Sequence, residues 1–278
     1  MKMKQGLQGG ASDLASRFLE RTTTARGDAR PAKLVLLLAA LVLFFAVGAT
    51  AQTNSLSDTE IQGRLLAQQL CDAKPETNLT QSGILSIRYA NGNKTNFSVS
   101  FKIHITEVNW KAGYFIGNNA WIIKHQAGEG NRYVFVEHNP DINAWNPTSF
   151  LHSDGNETSV SFANSDFWLC DLGLEFLHWP VQKVLPKTTS LKRGREYTLL
   201  ESTNPTPPTN SYSRVLSWID KESGGMLAAE AYDAKGKLLK EFEPKSFKKV
   251  NGQWLLQEME IRNVQTGSRT RLEFDLKN

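Results

Sequence analysis

The sequence predicts an α+β protein built on one large, curved antiparallel sheet with few helices. From residue 83 onward, apolar and polar residues alternate with a period of two over most of the chain, as in strands with one buried face. Short glycine-containing turns separate many of these runs, and strands joined by such turns must be antiparallel neighbours. Only one clear helical repeat precedes them, so the sheet dominates the predicted fold.

Residues 1–51 have the pattern of a secretory signal peptide. Seven basic residues precede an apolar run of 14 residues, 34–47, and the small-residue sequence Ala49-Thr50-Ala51 follows it. The apolar run is shorter than the ~20 residues that span a bilayer comfortably. We therefore expect cleavage after Ala51, which leaves a single mature domain, residues 52–278. The alternative is a retained signal that anchors the protein in a membrane.

The charge of the predicted mature chain is balanced. The whole chain has 32 Lys and Arg and 28 Asp and Glu; residues 1–51 hold 7 and 3 of these, which leaves 25 of each sign. The basic character of the full chain therefore belongs to the leader. A chain without net positive charge lacks the usual electrostatic attraction to nucleic acid, so no nucleic-acid partner is expected.

One amphipathic helix is predicted over residues 58–72. Ser57 and Asp58 followed by Glu60 are typical of a helix start, and Pro75 closes the region. Between them, four aliphatic residues recur at helical spacing: Ile61, Leu65, Leu66 and Leu70.

The chain after this helix is predicted to form five strands. The clearest of them has apolar residues such as Phe101 and Ile103 in alternation with polar ones, so it has one apolar and one polar face. A turn signal, Asn91-Gly92-Asn93, precedes it. The five strands are predicted over residues 83–89, 97–106, 114–116, 120–125 and 132–137. The polar, turn-rich stretch 139–164 is predicted to be a long loop.

Residues 165–180, here called the covering segment, form an apolar, aromatic-rich stretch that ends at Pro180. Its first part, 165–177, is the second predicted helical segment. Gly173 would weaken a helix by ~1 kcal/mol relative to Ala, so it either lets the segment move or packs closely on the sheet. Three carboxylates are expected to form the solvated edge of the segment rather than a carboxylate site: Asp166, Asp171 and Glu175.

The last third of the chain is predicted to be a series of hairpins. In its final strand Leu272, Phe274 and Leu276 alternate with charged residues. The proline-rich stretch 204–210 cannot pair in a ladder and is expected to be a loop within the sheet. The six strands are predicted over residues 196–202, 213–220, 226–233, 238–250, 254–264 and 268–277.

The sequence has no motif for catalysis, metal binding or cofactor binding. The five histidines lack metal-site spacing, and no Cys pair lies at zinc spacing. Neither a nucleophile elbow nor a phosphate-binding glycine loop occurs. We therefore expect no enzyme activity, cofactor or metal. Cys71 and Cys170 are expected either to pair in an oxidising compartment or to be separate buried thiols.

The apolar face of the predicted sheet must be covered, and the helix and the covering segment are the two helical pieces available for this. If both pack down fully, the face is ordinary core. If the sheet curls into an incomplete barrel, they form a lid over an apolar groove, which is a common kind of ligand site. Periodicity does not distinguish these two alternatives.

Several stretches of the chain resemble the LolA-like outer-membrane lipoprotein-sorting family. They are the covering segment, Trp218-Ile219-Asp220, residues 231–237 and Gly252-Gln253-Trp254, and the resemblance extends from Gly83 to the C-terminus. It implies an open, incomplete β-barrel covered by a few helices. It also implies a periplasmic carrier that binds acyl chains of lipoproteins, or lipids, and helps to sort them to the outer membrane. Sorting components of the inner and outer membranes are then candidate partners.

The resemblance favours the groove over plain core. Candidate groove and lid residues are large apolar side chains of the covering segment and the facing strands: Phe167, Trp168, Leu172, Phe176, Trp179, Phe101, Ile103 and Phe274. Acyl chains suit such a groove because each buried methylene contributes ~0.8 kcal/mol without directional demands. The alternative function is an envelope sensor that recognises lipid or lipoprotein with the same barrel, anchored in the inner membrane and facing the periplasm.

Overall fold

Twelve antiparallel strands form one curved sheet within the described part of the chain, as a computed structural model shows. The structure describes residues 56–136, 159–187, 189–250 and 253–276, which belong to one compact unit. The leader predicted at residues 1–51 and most of the loop predicted at 139–164 lie outside these residues. No helix among the described residues is long and apolar enough to cross a membrane.

The elements follow one another along the chain with short connections. The first half contains α1 (Asp58–Cys71), β1 (Leu79–Arg88), β2 (Lys94–Ile105), β3 (Asn109–Ile116), β4 (Asn119–Gln126) and β5 (Arg132–Val136). The covering segment contains α2 (Leu169–Leu172) and a 3₁₀ turn (Glu175–His178). The second half contains β6 (Val181–Leu185), β7 (Tyr197–Thr203), β8 (Tyr212–Asp220), β9 (Met226–Asp233), β10 (Leu238–Val250), β11 (Gln253–Asn263) and β12 (Arg269–Asp275).

The strand order explains why the covering segment crosses the sheet. The order is β5-β4-β3-β2-β1-β12-β11-β10-β9-β8-β7-β6, so every pair of neighbours is consecutive in sequence except β1 and β12. β5 and β6 are the two edges and do not pair with each other, so the barrel is open. The covering segment lies in the connection between these two edges. A chain that passes from one edge of a curved sheet to the other can run over its concave face.

The concave face carries two apolar clusters. Register places Ile87, Thr270, Ile261, Phe242 and Ala229 opposite one another on successive strands of this face. The first cluster includes Leu85, Trp121, Phe167, Leu272 and Phe274. The second cluster includes Ala67, Phe176, Leu177, Val215 and Ile219. Both clusters contain side chains of the covering segment, which therefore packs onto the sheet along its length.

Helix α1 packs against β6 through its smallest residues. A Cβ added to Gly63 would lie 2.5 Å from the backbone nitrogen of Lys183, so the helix backbone approaches the strand closely. Ala67 is buried on the same side of the helix, while Ile61 and Leu65 are 45% and 63% exposed. Glu60 accepts a hydrogen bond from the backbone N–H of Ser57 and fixes the predicted helix start.

The predicted α+β class and the antiparallel sheet are confirmed, and the loop at 204–210 contains no strand. Several predicted bounds differ from the structure. β3 begins at Asn109, five residues before its predicted start, and β6 was not predicted. Residues 165–177 do not form one helix, because residues 165–168 are not helical and Leu174 adopts a left-handed conformation with φ 50° between α2 and the 3₁₀ turn.

Candidate functional site

The covering segment is fastened to the sheet at its start by Asp166. The backbone N–H of Asp166 donates to Oγ1 of Thr270 at 2.9 Å, and the Thr270 hydroxyl donates back to the Asp166 carboxylate at 2.9 Å. The hydroxyl of Ser268 donates to the other carboxylate oxygen. Asp166 is 9% exposed, so these bonds to β12 and to the residue before it satisfy a buried carboxylate.

The middle of the segment is fastened by Asp171, which faces a buried lysine of β10. Nζ of Lys240 lies 3.3 Å from Oδ2 of Asp171, and the Tyr212 hydroxyl donates to Oδ1 at 2.8 Å. Nζ also lies 3.4 Å from the ring centroid of Trp168, which stacks on Tyr212. Burial lowers the pKa of Lys240, and the negative charge of Asp171 opposes this. The cation is held between one carboxylate and two aromatic faces.

The end of the segment is fastened to β5. Oε2 of Glu175 accepts hydrogen bonds from the Tyr133 hydroxyl at 2.8 Å and from the Asn131 side chain at 3.2 Å. Asn131 also donates to the carbonyl of Gly173 at 2.7 Å. Burial raises the pKa of Glu175 to about 6, although its two hydrogen bonds lower it. A Cβ on Gly173 would lie 2.4 Å from the Tyr133 hydroxyl, so this glycine packs closely on the sheet.

A buried amide of β6 holds the chain as it leaves the segment. Nε2 of Gln182 donates to the carbonyls of Phe176, Leu177 and Trp179 at 2.9 to 3.2 Å. Its Oε1 accepts from Ser202 at 2.7 Å. These bonds tie three carbonyls at the end of the covering segment to β6.

The prediction that three carboxylates form the solvated edge of the covering segment is wrong. Asp166, Asp171 and Glu175 are all buried or half-buried, and each accepts hydrogen bonds from donors on the sheet. The donors lie between 41 and 104 residues away in sequence, so the pattern around each carboxylate could not indicate them. Asp171 and Lys240 are the functional candidates that sequence reasoning missed. The sequence signal for this pair is the position of Lys240, which lies two residues before Phe242 on β10. The two side chains therefore lie on the same, inward face of the sheet.

The eight predicted groove residues fall into separate groups. Phe167, Leu172, Phe101 and Phe274 belong to or pack against the first cluster, where the Phe101 and Phe274 rings are 5.2 Å apart. Trp168, Phe176 and Trp179 belong to or pack against the second cluster. Ile103 is half-buried on β2 and lies in neither.

A small cavity lies beneath the middle of the covering segment. It holds about 20 Å³ of free space, and Phe176 is the one predicted groove residue among those that line it. Its lining is apolar apart from the pair described above: Asp171, Leu174, Phe176, Val215, Met226, Ala229, Ala231, Lys240, Phe242 and Ile261. A water molecule needs ~10–15 Å³ and ligand pockets measure ~300–1,000 Å³, so the segment is closed over this part of the sheet.

An open cleft of about 550 Å³ lies where α1 meets the end of the covering segment. Cys71, Glu175, His178 and Trp179 line it. Cys71 and Cys170 are both free thiols, so the disulfide alternative is not realised in this structure. Burial raises the pKa of Cys71 to about 12, which keeps this thiol protonated and unreactive near neutral pH.

Comparisons with known proteins match the chain over most of its length. A family model described as an uncharacterized protein matches residues 125–276, more than half of the chain. A DUF1329 family protein from Desulfovibrio piger is 17% identical with a TM-score of 0.61, covering 79% of this chain and 92% of its own. A structure described as an outer membrane lipoprotein-sorting protein domain, from Vibrio parahaemolyticus, is 19% identical with a TM-score of 0.62, covering 78% and 92%.

A LolA superfamily protein from Nitrosomonas europaea is 13% identical with a TM-score of 0.48, and the match covers 80% of this chain and 95% of that one. No curated protein matches the chain. The two structures with TM-scores above 0.6 share the architecture of this chain.

Proposed function

The chain belongs to the family whose model covers residues 125–276 and has the LolA-like fold, and from this premise we propose that it is a periplasmic carrier. Its concave face binds the acyl chains of lipoproteins, or of lipids, and the carrier helps to sort them to the outer membrane without catalysis. The match to a lipoprotein-sorting domain supports this class of cargo.

The observation that carries the proposal is the way the covering segment is held. Polar contacts fasten it at Asp166, Asp171 and Glu175, and an apolar cavity lies beneath the middle of the three. A segment held at a few polar points can detach in steps, each of which exposes apolar surface of the sheet. Acyl chains can take the place of the segment on that surface, because each buried methylene contributes ~0.8 kcal/mol without a required geometry.

Closure and release then depend on one equilibrium. In the closed state the cavity has no room for a chain, so cargo binds the minor open state and shifts the population toward it. The apparent affinity is reduced by the fraction of protein that is open. A carrier gains from this arrangement because a partner that favours the closed segment also favours release of the cargo.

The carrier acts between the inner and the outer membrane. Cleavage after Ala51 would leave residues 52–278 free to diffuse in the periplasm between sorting components of the two membranes. The eight predicted groove residues, which include Phe101, Ile103 and Trp179, would then contact cargo once the covering segment moves. If the signal is retained, the same barrel would serve as an anchored sensor.

The first experiment is purification of the protein from the periplasm of its host, followed by mass spectrometry of bound lipids. We expect co-purifying acylated molecules and an N-terminus at Gln52. If the intact chain remains in the inner-membrane fraction, the anchored sensor replaces the carrier.

The second experiment titrates fatty acids of increasing length while tryptophan fluorescence is recorded. Affinity should rise by up to about fourfold per methylene and should change little between low and moderate salt. Trp168→Phe should reduce the signal, while the matched variant Trp254→Phe, at a tryptophan that is 68% exposed, should not. If chain length has no effect, the concave face is ordinary core. A steep loss of affinity with salt would mean that a head group is recognised.

A further inference from the structure

Four positively charged residues lie side by side on the convex face of the sheet. Register places Lys94 opposite Arg88, Arg88 opposite Arg269, and Arg269 opposite Arg262, on the adjacent strands β2, β1, β12 and β11. We call these four residues the basic row. All four are exposed, whereas the residues that precede or follow them, such as Ile87 and Thr270, are buried on the concave face.

The fold leaves most of this charge without a partner. Within the described part of the chain, Arg88, Lys94 and Arg269 form no salt bridge, and Arg262 has one distant contact of 3.9 Å with Glu241. The neighbouring Arg271 shows the contrast, since it is paired with Glu258 at 2.9 Å and Glu260 at 3.1 Å. Like charges directly opposite each other destabilise a sheet. The basic row therefore costs stability, and among the described residues no salt bridge at Arg88, Lys94 or Arg269 offsets that cost.

The position of the row favours an extended anionic partner over a compact one. A depression of about 320 Å³ runs inward from Arg88, Lys94 and Arg269, but Glu260 and Glu273 also line it. A single small anion that entered the depression would meet these carboxylates. A flat surface that rests on the exposed row would instead contact the four cations, which span about 14 Å at the ~4.8 Å spacing of strands, and Glu241 lies opposite Arg262 at the end of the row.

Two side chains beside the row extend this contact. Tyr89 follows Arg88 at the β1–β2 turn and is 37% exposed, and Val264 lies near Arg262 at the β11–β12 turn and is 36% exposed. Both turns are at the same end of the barrel as the basic row. Tyrosine, with an apolar body and a polar tip, is suited to the boundary between lipid head groups and acyl chains.

We propose that the basic row is a docking surface for an anionic phospholipid bilayer, which holds this end of the barrel against the membrane. Each Lys or Arg near such a surface raises binding by about fivefold, and the effect falls within a Debye length. The mature chain has no net charge, so this attraction depends on local clustering. The proposal does not depend on the nature of the cargo, because the row lies on the opposite face from the covering segment.

The test is sedimentation of the protein, as its host produces it, with two kinds of vesicle at low and moderate salt. One kind is phosphatidylcholine alone, and the other contains about one third phosphatidylglycerol. We expect binding to the anionic vesicles only, and release by salt. Arg88→Glu with Arg269→Glu should weaken that binding by at least about 25-fold. Arg88→Lys with Arg269→Lys should retain it.

The matched control is Arg64→Glu with Lys249→Glu, two exposed cations outside the row that carry the same change of charge. It should bind as the unchanged protein does. Melting temperatures should show that all variants are folded. As a further single variant, Arg88→Glu places a carboxylate between Lys94 and Arg269, so it should not lower stability. Equal binding of the charge-reversed variant, or no preference for anionic vesicles, would overturn the proposal. So would binding of poly-glutamate without binding of vesicles, which would indicate an acidic protein partner.

Discussion

Nζ of Lys240 lies 3.3 Å from Oδ2 of Asp171, and the two side chains are 2% and 10% exposed. The pair joins an inward position of β10 to the middle of the covering segment. Burying two charges costs desolvation energy that their attraction barely offsets, but removal of one partner leaves the other uncompensated. The pair therefore adds little net stability and specifies where the covering segment lies.

The two halves of this pair should respond unequally to substitution. Asp171→Asn leaves the buried Lys240 with no anion, and we expect a loss of ~3–5 kcal/mol in unfolding free energy. Lys240→Met should cost less, because Asp171 still accepts hydrogen bonds from the Tyr212 hydroxyl and the backbone N–H of Trp168. Urea unfolding of both variants measures the difference. Equal losses, or a larger loss in Lys240→Met, would contradict this account of the pair.

Gly173→Ala should destabilise the protein although alanine is the better helix former. The new Cβ would lie 2.4 Å from the Tyr133 hydroxyl and 3.0 Å from its ring, so we expect a loss of ~1–3 kcal/mol in unfolding free energy. Urea unfolding provides the measurement.

Two further variants isolate the contact at Gly173. Gly130→Ala is the matched control, since a Cβ there meets nothing within 4 Å and should leave stability almost unchanged. Tyr133→Phe removes the clashing oxygen, so Gly173→Ala should cost less in that background than in the unchanged protein. A cost that is the same in both backgrounds would place the strain elsewhere.

The sheet could be predicted from the sequence because its signals are local. In β8 to β12 the period-two pattern and the glycine turns, such as Gly236 with φ 74°, fix strand identity and pairing. β6 was not predicted because it is short and its one buried position is the polar Gln182, whose partners are backbone carbonyls of the covering segment. Only the tertiary structure makes that glutamine an interior residue.

The arrangement of the covering segment could not be predicted for a related reason. Its apolar residues indicate that the segment is buried, and Phe167 and Phe176 are indeed buried in the structure. The fastening points depend on Thr270, Lys240 and Tyr133, which belong to three different strands. The prediction of one helical segment over residues 165–177 is therefore wrong, because contacts across the sheet set the conformation of these residues.

Glu175 should make stability depend on pH near 6. Burial raises the pKa of Glu175 to about 6 in the folded protein, above its ordinary value of 4.5, so its stabilising contribution is fully present below pH 4.5 and is lost as the pH rises through 6. When the pH is lowered from 7.5 to 4.5, the unfolding free energy of the unchanged protein should therefore rise by ~1–2 kcal/mol relative to that of Glu175→Gln. Denaturant unfolding of both proteins at several pH values measures this gain. A difference that does not vary with pH would show that the carboxyl is solvated.

His125 should act in the opposite direction. Burial, and then the charge of His178, lower the pKa of His125 to about 3. A histidine with a lowered folded pKa contributes stability that is present above pH 6.5 and is lost as the pH falls toward 3. When the pH is lowered from 7.5 to 5, the unfolding free energy of His125→Phe should therefore fall by ~2 kcal/mol less than that of the unchanged protein. Denaturant unfolding of both proteins at pH 7.5 and pH 5 measures this difference.

Loosening the covering segment should strengthen acyl binding if cargo binds the open state. Asp171→Asn removes the charge that holds the middle of the segment over the cavity, so it should raise the open fraction. The apparent affinity for a fatty acid should then rise by up to tenfold for each ~1.4 kcal/mol by which closure is weakened. Association should also become faster, as stopped-flow tryptophan fluorescence would show.

The control is Gly130→Ala, which should leave both the affinity and the association rate unchanged, because it touches neither the segment nor the cavity. A variant that unfolds more easily yet binds acyl chains no better would mean that the segment is part of a permanent core, and that cargo, if any, binds elsewhere.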